Sequence, residues 1–189
     1  MNARRASHDV RLLDALTAFS AGHFKGYLWR VVHGNRSPID GSKGAGRWNV
    51  RESEVLYCAL EEDGALSEIH FHISRGQSVF PSRLRSWVYK LEVSFERVLD
   101  LSDTSVLARL GIDLSRYHEL LYSETQKIGE ATGFLGYETL IVPNARHSSN
   151  NLVVFPANTD LDALYEVSKT RVKWEAWRQK NRQKSQARE

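Results

Sequence analysis

Between Leu28 and His72 the chain runs through four patterns in close succession, and this restricts the fold more than any other feature. Tyr27 to Val32 is a compact run of β-branched and aromatic residues that predicts a strand. From Gly34 to Gly46 no periodicity survives. Four glycines and one proline make this a long loop, of a length that compact domains reserve for function or leave disordered. Val55 to Leu60 predicts a second strand, and Glu61 to Ser74 turns helical, with Ala65, Leu66, Ile69 and Ile73 on one apolar arc. Glu68 and His72, four residues apart, lie together along one edge of that arc. Strand, long loop, strand and helix in this order do not form a βαβ unit. No glycine fingerprint of the dinucleotide-binding type joins a strand to a helix.

The remainder keeps the same mixed character. Leu12, Leu13, Leu16 and Phe19 predict a helix over residues 8–22, stopped by Gly22. Trp87 to Phe95 alternates apolar and polar residues as a strand does, and Val98 to Leu101 predicts a separate short one. Ser102 or Asp103 can cap a short helix to Leu110. Ser115 to Ala131 predicts a longer helix, with Tyr117, Leu120, Leu121, Glu124 and Ile128 at helical spacing and Gly133 beyond. Thr139 to Val142 and Leu152 to Phe155 are short strands of the buried type. Residues 161–172 follow no single period, and Trp174 to Arg188 predicts a polar helix. Short strands interspersed with helices argue for an α+β domain.

At 189 residues the chain has the size of one domain with a sizeable core. The N-terminus lacks the apolar stretch and cleavage site of a signal peptide, and no apolar run approaches the roughly 20 residues that span a bilayer. Cys58, the only cysteine, excludes an internal disulfide and reads as a small buried residue. A cytoplasmic protein is expected. The net charge of +3 is unevenly spread: Arg171 to Glu189 holds seven Lys/Arg and two Glu, leaving 19 basic and 21 acidic residues in the body. A basic body for gripping nucleic acid is not indicated, although basic and aromatic residues interleave in the tail.

The chemistry concentrates in the opening stretch. An arginine fork holds phosphate through parallel charge-assisted hydrogen bonds, and Arg30 and Arg47 are the candidates. Tyr57 offers a flat face with a polar tip. Glu68 is a carboxylate at the edge of an apolar face, able to hold a developing positive charge. Each also has a purely structural reading: an exposed strand arginine, a solvated loop arginine, a core tyrosine, a boundary carboxylate. A metal site at His70 and His72 is rejected, because residues two apart on a helix point about 200° from each other. The i, i+4 histidine pair of zincins is absent, as are a serine-hydrolase elbow and a phosphate-loop lysine.

In this order the residues resemble the RES-domain family, the toxin half of bacterial RES–Xre toxin–antitoxin pairs. The likeness runs through Leu28-Trp29-Arg30-Val31, Gly46-Arg47-Trp48-Asn49, Val55-Leu56-Tyr57-Cys58-Ala59 and Ala65-Leu66-Ser67-Glu68. It resumes at Leu140 to Arg146 and at Asn151 to Phe155, and so covers residues 20–157. The resemblance implies an ADP-ribosyltransferase-like mixed β core surrounded by helices. It implies a single NAD-binding domain over residues 1–170, with residues 171–189 as a basic C-terminal helix or tail. It further implies a toxin that cleaves the nicotinamide–ribose bond of NAD, as a glycohydrolase or phosphorylase, with NAD as substrate and no metal. The expected partner is an Xre-type helix-turn-helix antitoxin, with no membrane association and no direct nucleic-acid contact. Carried over, Arg30 and Arg47 match the arginines that hold the NAD phosphates, Tyr57 the tyrosine near the nicotinamide, and Glu68 the catalytic glutamate. The family's serine, usually in a Pro-Ser pair, is Asn144 here, which keeps hydrogen-bonding capacity but is longer and lacks the hydroxyl. The alternatives are an ADP-ribosyltransferase acting on a cellular protein and a non-catalytic binding module that uses the basic tail.

Overall fold

A computed structural model describes residues 8–42, 44–75, 80 and 84–186, the side chains of 184–186 excepted. The helices are α1 (Val10–Thr17), α2 (Glu62–Ser74), α3 (Thr104–Arg109), α4 (Ser123–Phe134) and α5 (Trp174–Gln186). The strands are β1 (Gly22–His33), β2 (Leu56–Ala59), β3 (Ser86–Asp100), β4 (Thr139–Pro143), β5 (Asn150–Val154) and β6 (Tyr165–Arg171). The strands pair in the order β1-β2-β5-β4-β3-β6, and β1 also pairs with β3, which closes the first five into a barrel. All the pairings are antiparallel except β3 with β4. The expected α+β class is the observed one, and its mixed β core is this barrel.

Closure follows from the long third strand. Tyr89, Leu91, Val93 and Phe95 are buried and alternate with Lys90, Glu92, Ser94 and Glu96, which are exposed or half-buried. They share a core with Leu28 and Val32 of β1, Leu56 and Cys58 of β2, Ile141 of β4 and Leu152 and Val154 of β5. Burying each such Val, Leu or Phe contributes about 1.5–3 kcal/mol. A second core lies under α1, α3 and α4 around Leu16, Trp48, Leu107 and Ile128. A third lies under α2 and α5. Trp174 is buried in it and donates its indole N–H to Ser86 Oγ at 2.9 Å, so the polar terminal helix is tied down at its first residue.

Three expectations from sequence are corrected. Trp87–Phe95 and Val98–Leu101 form one strand, interrupted by a bulge: Gly22 pairs with Val98 and Phe24 with Phe95, so β3 carries one extra residue. The alternation breaks there because the Glu96 and Arg97 N–H groups, at 2.6 and 2.8 Å, both donate to the Glu138 carboxylate. The first helix is shorter than expected, starting after the Asp9 cap and ending at Thr17, and Gly22 opens β1 instead of stopping a helix. The helix expected from Ser115 is only a 3-10 turn at Leu114–Arg116 followed by irregular chain, and α4 starts at Ser123. Leu120 and Leu121 are exposed, so their spacing marked no buried face. Residues 165–171 are an edge strand exposed on both sides, which is why no period was visible.

Helix α4 meets the loop before β2 without clearance. A Cβ on Gly129 would lie 1.9 Å from the Trp48 carbonyl oxygen. In an open helix, Gly→Ala gains about 1 kcal/mol. Here the sign reverses, and Gly129→Ala should destabilise by about 1–3 kcal/mol through overpacking, read as a lowered urea midpoint at unchanged slope. A raised midpoint would mean that α4 can withdraw from Trp48.

Candidate active site

The loop between β1 and β2 is ordered by one amide. Asn49 is fully buried, and its Nδ2 lies 3.0, 2.8 and 2.7 Å from the carbonyls of Gly44, Val50 and Ser53. Its Oδ1 accepts from the Tyr57 hydroxyl at 2.8 Å, and that hydroxyl in turn accepts the Trp48 N–H at 2.9 Å. Gln126 of α4 donates to the carbonyls of Gly46 and Asn49. A Cβ on Gly46 would come within 2.5 Å of the Tyr57 oxygen, so only glycine fits this turn. The polar tip of Tyr57 is thereby committed to structure. Burial, the largest effect, holds its pKa far above the ordinary phenol value, and what the residue presents is its ring.

Arg47 leaves this turn between two aromatic rings. Its guanidinium carbon is 4.7 Å from the Tyr117 centroid and 4.9 Å from that of Tyr122, and Nη2 donates to the Glu119 carbonyl at 3.0 Å. The irregular chain from Tyr117 to Tyr122 is thus wrapped around the arginine, and the Tyr117 hydroxyl donates to the Pro143 carbonyl. Arg30 contradicts the reading of an exposed strand arginine, for it is 6% exposed. Nη2 donates to the carbonyl of Asp40, a loop position also held by Arg36, whereas Nη1 is buried with no hydrogen-bond partner among the described residues. Cys58 lies beside it, and burial pushes that thiol up while Arg30 opposes the shift.

Glu68 projects from α2 toward the turn after β4. Its Oε1 accepts the Ala145 N–H at 3.2 Å and Asn151 Nδ2 at 3.4 Å, and Oε2 lies 3.9 Å from His72 Nε2. The edge pairing of Glu68 with His72 expected from helical spacing is present. Burial keeps His72 below its ordinary 6.5, Glu68 pulls it back up, and Arg146, Arg75 and Arg47 push it further down. Asn144 occupies a layer behind. Its Nδ2 donates to Asn151 Oδ1 at 2.7 Å and to the Gly64 carbonyl at 3.3 Å, and its Oδ1 accepts the Arg146 N–H at 2.7 Å.

Arg30, Arg47, Tyr57 and Glu68 line one cavity of about 750 Å³. Asn144 does not line it but orders Asn151 and Arg146, which do. Sequence reasoning had not assigned Arg146, His72, Tyr122 or Asn151 to the site. Arg146 and Asn151 lie within the stretches that resemble the family, while the helix expected from Ser115 hides Tyr122. A larger, more open hollow of about 1170 Å³ lies on the other side of Trp48, lined by apolar residues such as Leu13, Phe134 and Phe155. It lacks a comparable set of cations. Among the described residues no group of three or more His, Cys, Asp or Glu side chains is placed to hold a metal ion. No helix among them is long and apolar enough to cross a membrane.

The chain is 29% identical over 140 residues to a protein of Mycobacterium tuberculosis (strain ATCC 25618 / H37Rv) named probable NAD(+) phosphorylase. That match covers 72% of this chain and 66% of the relative, so just under two thirds of the relative's length is matched. A chain of the crystal structure of the M. tuberculosis MbcT–MbcA toxin–antitoxin complex superposes with a TM-score of 0.79 at 18% identity, over 90% of this chain and 97% of that one. This likeness carries the fold, barrel and helices together. Residues 27–175, most of the chain and all of the cavity's lining, match the RES domain, and the protein belongs to the RES-domain family.

Proposed function

We propose that this protein is a toxin that consumes NAD by breaking the bond between nicotinamide and ribose, and that a cognate antitoxin neutralises it. The observation that carries the reading is the Glu68 carboxylate, held by the Ala145 N–H and the Asn151 amide inside a cavity that is otherwise cationic. Nicotinamide leaves a cationic ring as a neutral molecule, so the reaction needs no general acid. It needs a partner for the oxocarbenium-like ribose, as glycoside cleavage does. A carboxylate that meets this cation more strongly than the ground state lowers the barrier, and two hydrogen-bond donors on one oxygen keep it in place without neutralising it.

In this reading Arg30 and Arg47 anchor the pyrophosphate, Tyr57 supplies a ring face for the nicotinamide, and Asn144 acts from behind as a positioning residue. Binding energy from the distant phosphates is spent on orienting the reacting bond. The names of the two M. tuberculosis proteins, an NAD(+) phosphorylase and a toxin–antitoxin complex, support the substrate and the antitoxin. The finer assignments are an Xre-type helix-turn-helix antitoxin, a cytoplasmic site of action, and one NAD-binding domain over residues 1–170 with a basic segment at 171–189.

Purified protein incubated with NAD should release nicotinamide, and no release with either water or phosphate present would sink the reading. Glu68→Gln keeps shape and removes charge. NAD affinity should change little while turnover falls by about two orders of magnitude or more, matching an electrostatic contribution of roughly 2.7–4 kcal/mol. Near-wild-type turnover in the folded variant would remove Glu68 from the mechanism. Arg30→Met separates binding from folding. The KM for NAD should rise about tenfold or more, since a charge-assisted contact is worth about 1.5–3 kcal/mol. Thermal stability should hold or increase, because a buried charge with an unpaired N–H is removed. An unchanged KM would mean that Arg30 is there for the loop alone.

A further inference from the structure

Arg30 and Arg36 converge on one atom. Each donates through Nη2 to the Asp40 carbonyl oxygen, and Arg36 also reaches the Gly41 carbonyl at 3.1 Å. Both side chains line the cavity where β1 runs into the glycine-rich loop, together with His33 and Ser42. Two guanidinium groups on one carbonyl repel each other, and an anion beside them relieves the repulsion. His33 is set up as a donor at the same end. Its Nδ1 lies 2.9 Å from the Ser86 hydroxyl, which is fully buried and already accepts the Trp174 indole N–H. Among the described residues that hydroxyl has no other acceptor for its own proton, so Nδ1 accepts and Nε2 carries the imidazole proton. Burial first, and then Arg36, hold the ring below its ordinary 6.5, so at neutral pH it meets the cavity uncharged.

The charge at this end exceeds what NAD requires. In the reading above, Arg30 and Arg47 match the two negative charges of the pyrophosphate, and Glu68 and Tyr57 meet the nicotinamide riboside. Arg36 is then left without a counter-charge. Among the described residues Glu68 is the one carboxylate lining the cavity, and the cations acting on His72 beside it are Arg146, Arg75 and Arg47, not Arg36. The Asp40 carboxylate accepts the Ser37 N–H and that of Glu54 the Gly41 N–H, and neither residue lines the cavity. A site built for the unphosphorylated dinucleotide alone places a carboxylate at the adenosine ribose, where it accepts from the 2′-OH and repels a phosphate. This end offers a guanidinium, an imidazole N–H and a serine hydroxyl instead.

We propose that the cavity takes the 2′-phosphorylated dinucleotide NADP as a substrate alongside NAD, and that Arg36 and His33 receive its 2′-phosphate. The proposal rests on the NAD-cleaving reading above. The bond broken is the same nicotinamide–ribose bond, with its electron pair leaving on nicotinamide. An oxygen of the acceptor bonds to that ribose carbon, a water acceptor releasing its surplus proton to solvent. The 2′-phosphate stays on the adenosine ribose of the product.

The test measures initial rates of the full chain on NAD and on NADP, with products identified by mass. Wild type should cleave NADP with a kcat/KM within about tenfold of that for NAD. Arg36→Gln, a change at an exposed residue that keeps length and removes charge, should raise the KM for NADP about tenfold or more. The KM for NAD should move less than about threefold. Arg36→Lys should recover part of the loss, and His33→Asn should raise the NADP value by a smaller factor. Cleavage of NAD without cleavage of NADP, or equal shifts or none in the two KM values of Arg36→Gln, would overturn the assignment. Should wild type be inert toward both, the earlier reading fails, and calorimetric titration with adenosine 2′,5′-bisphosphate against 5′-AMP decides the site. Tighter binding of the bisphosphate that is lost in Arg36→Gln supports it; equal affinities, or no binding, overturn it.

Discussion

The buried amide of Asn49 is the contact on which both the fold and the site depend. It donates to three loop carbonyls and accepts from Tyr57, so it supplies the hydrogen bonds that a strand or helix would otherwise give this stretch. Each such bond is worth about 0.5–1.5 kcal/mol net, and each buried carbonyl left unpaired costs about 1–3 kcal/mol. Gln126 at the Gly46 and Asn49 carbonyls, and Arg30 and Arg36 at the Asp40 carbonyl, add to the order of this glycine-rich loop. Once the turn is set, Trp48 fills the core under α4 and Arg47 points into the cavity, so packing and chemistry share one anchor.

The second shared anchor is the turn after β4. Asn144 fixes Asn151 through its amide and Arg146 through its carbonyl oxygen, and Asn151 with the Ala145 N–H holds Glu68. The asparagine has a structural reason here, for its one amide group serves both partners at once. Its effect on chemistry runs through Glu68 and Arg146, since it does not itself line the cavity.

Elements with one buried face were legible in the sequence. β1, β2 and α2 lie where periodicity put them, within a few residues or, for β1, as the core of a longer strand. What failed was where tertiary contacts replaced local pattern. Glu138, forty residues away in sequence, takes the two N–H groups of the β3 bulge and makes one strand resemble two. Tyr117 and Tyr122 meet through Arg47, a residue far upstream, so helical spacing there had no meaning. Within the site, Arg30, Arg47, Tyr57 and Glu68 were legible because they sit on early, regular elements. Arg146 and Tyr122 enter the cavity only when the barrel closes, and the burial of Arg30 comes from the loop folding over it.

The positive charge of the cavity is a matter of local placement, not of overall charge. The body upstream of Arg171 carries 19 basic and 21 acidic residues, so no long-range field draws a dinucleotide in. The cavity lining instead gathers five arginines against one glutamate. Among the described residues, two of those arginines keep a buried nitrogen without a hydrogen-bond partner, at Arg30 Nη1 and Arg146 Nε. Leaving such a donor unsatisfied is costly in the free protein, more so on a charged group. In the NAD-cleaving reading proposed above, that cost is recovered when the phosphates of the dinucleotide arrive, so part of the folded protein's unused hydrogen bonding becomes binding energy. In that reading, removing these arginines damages the site more than the fold, the pattern of residues kept for function at the expense of stability.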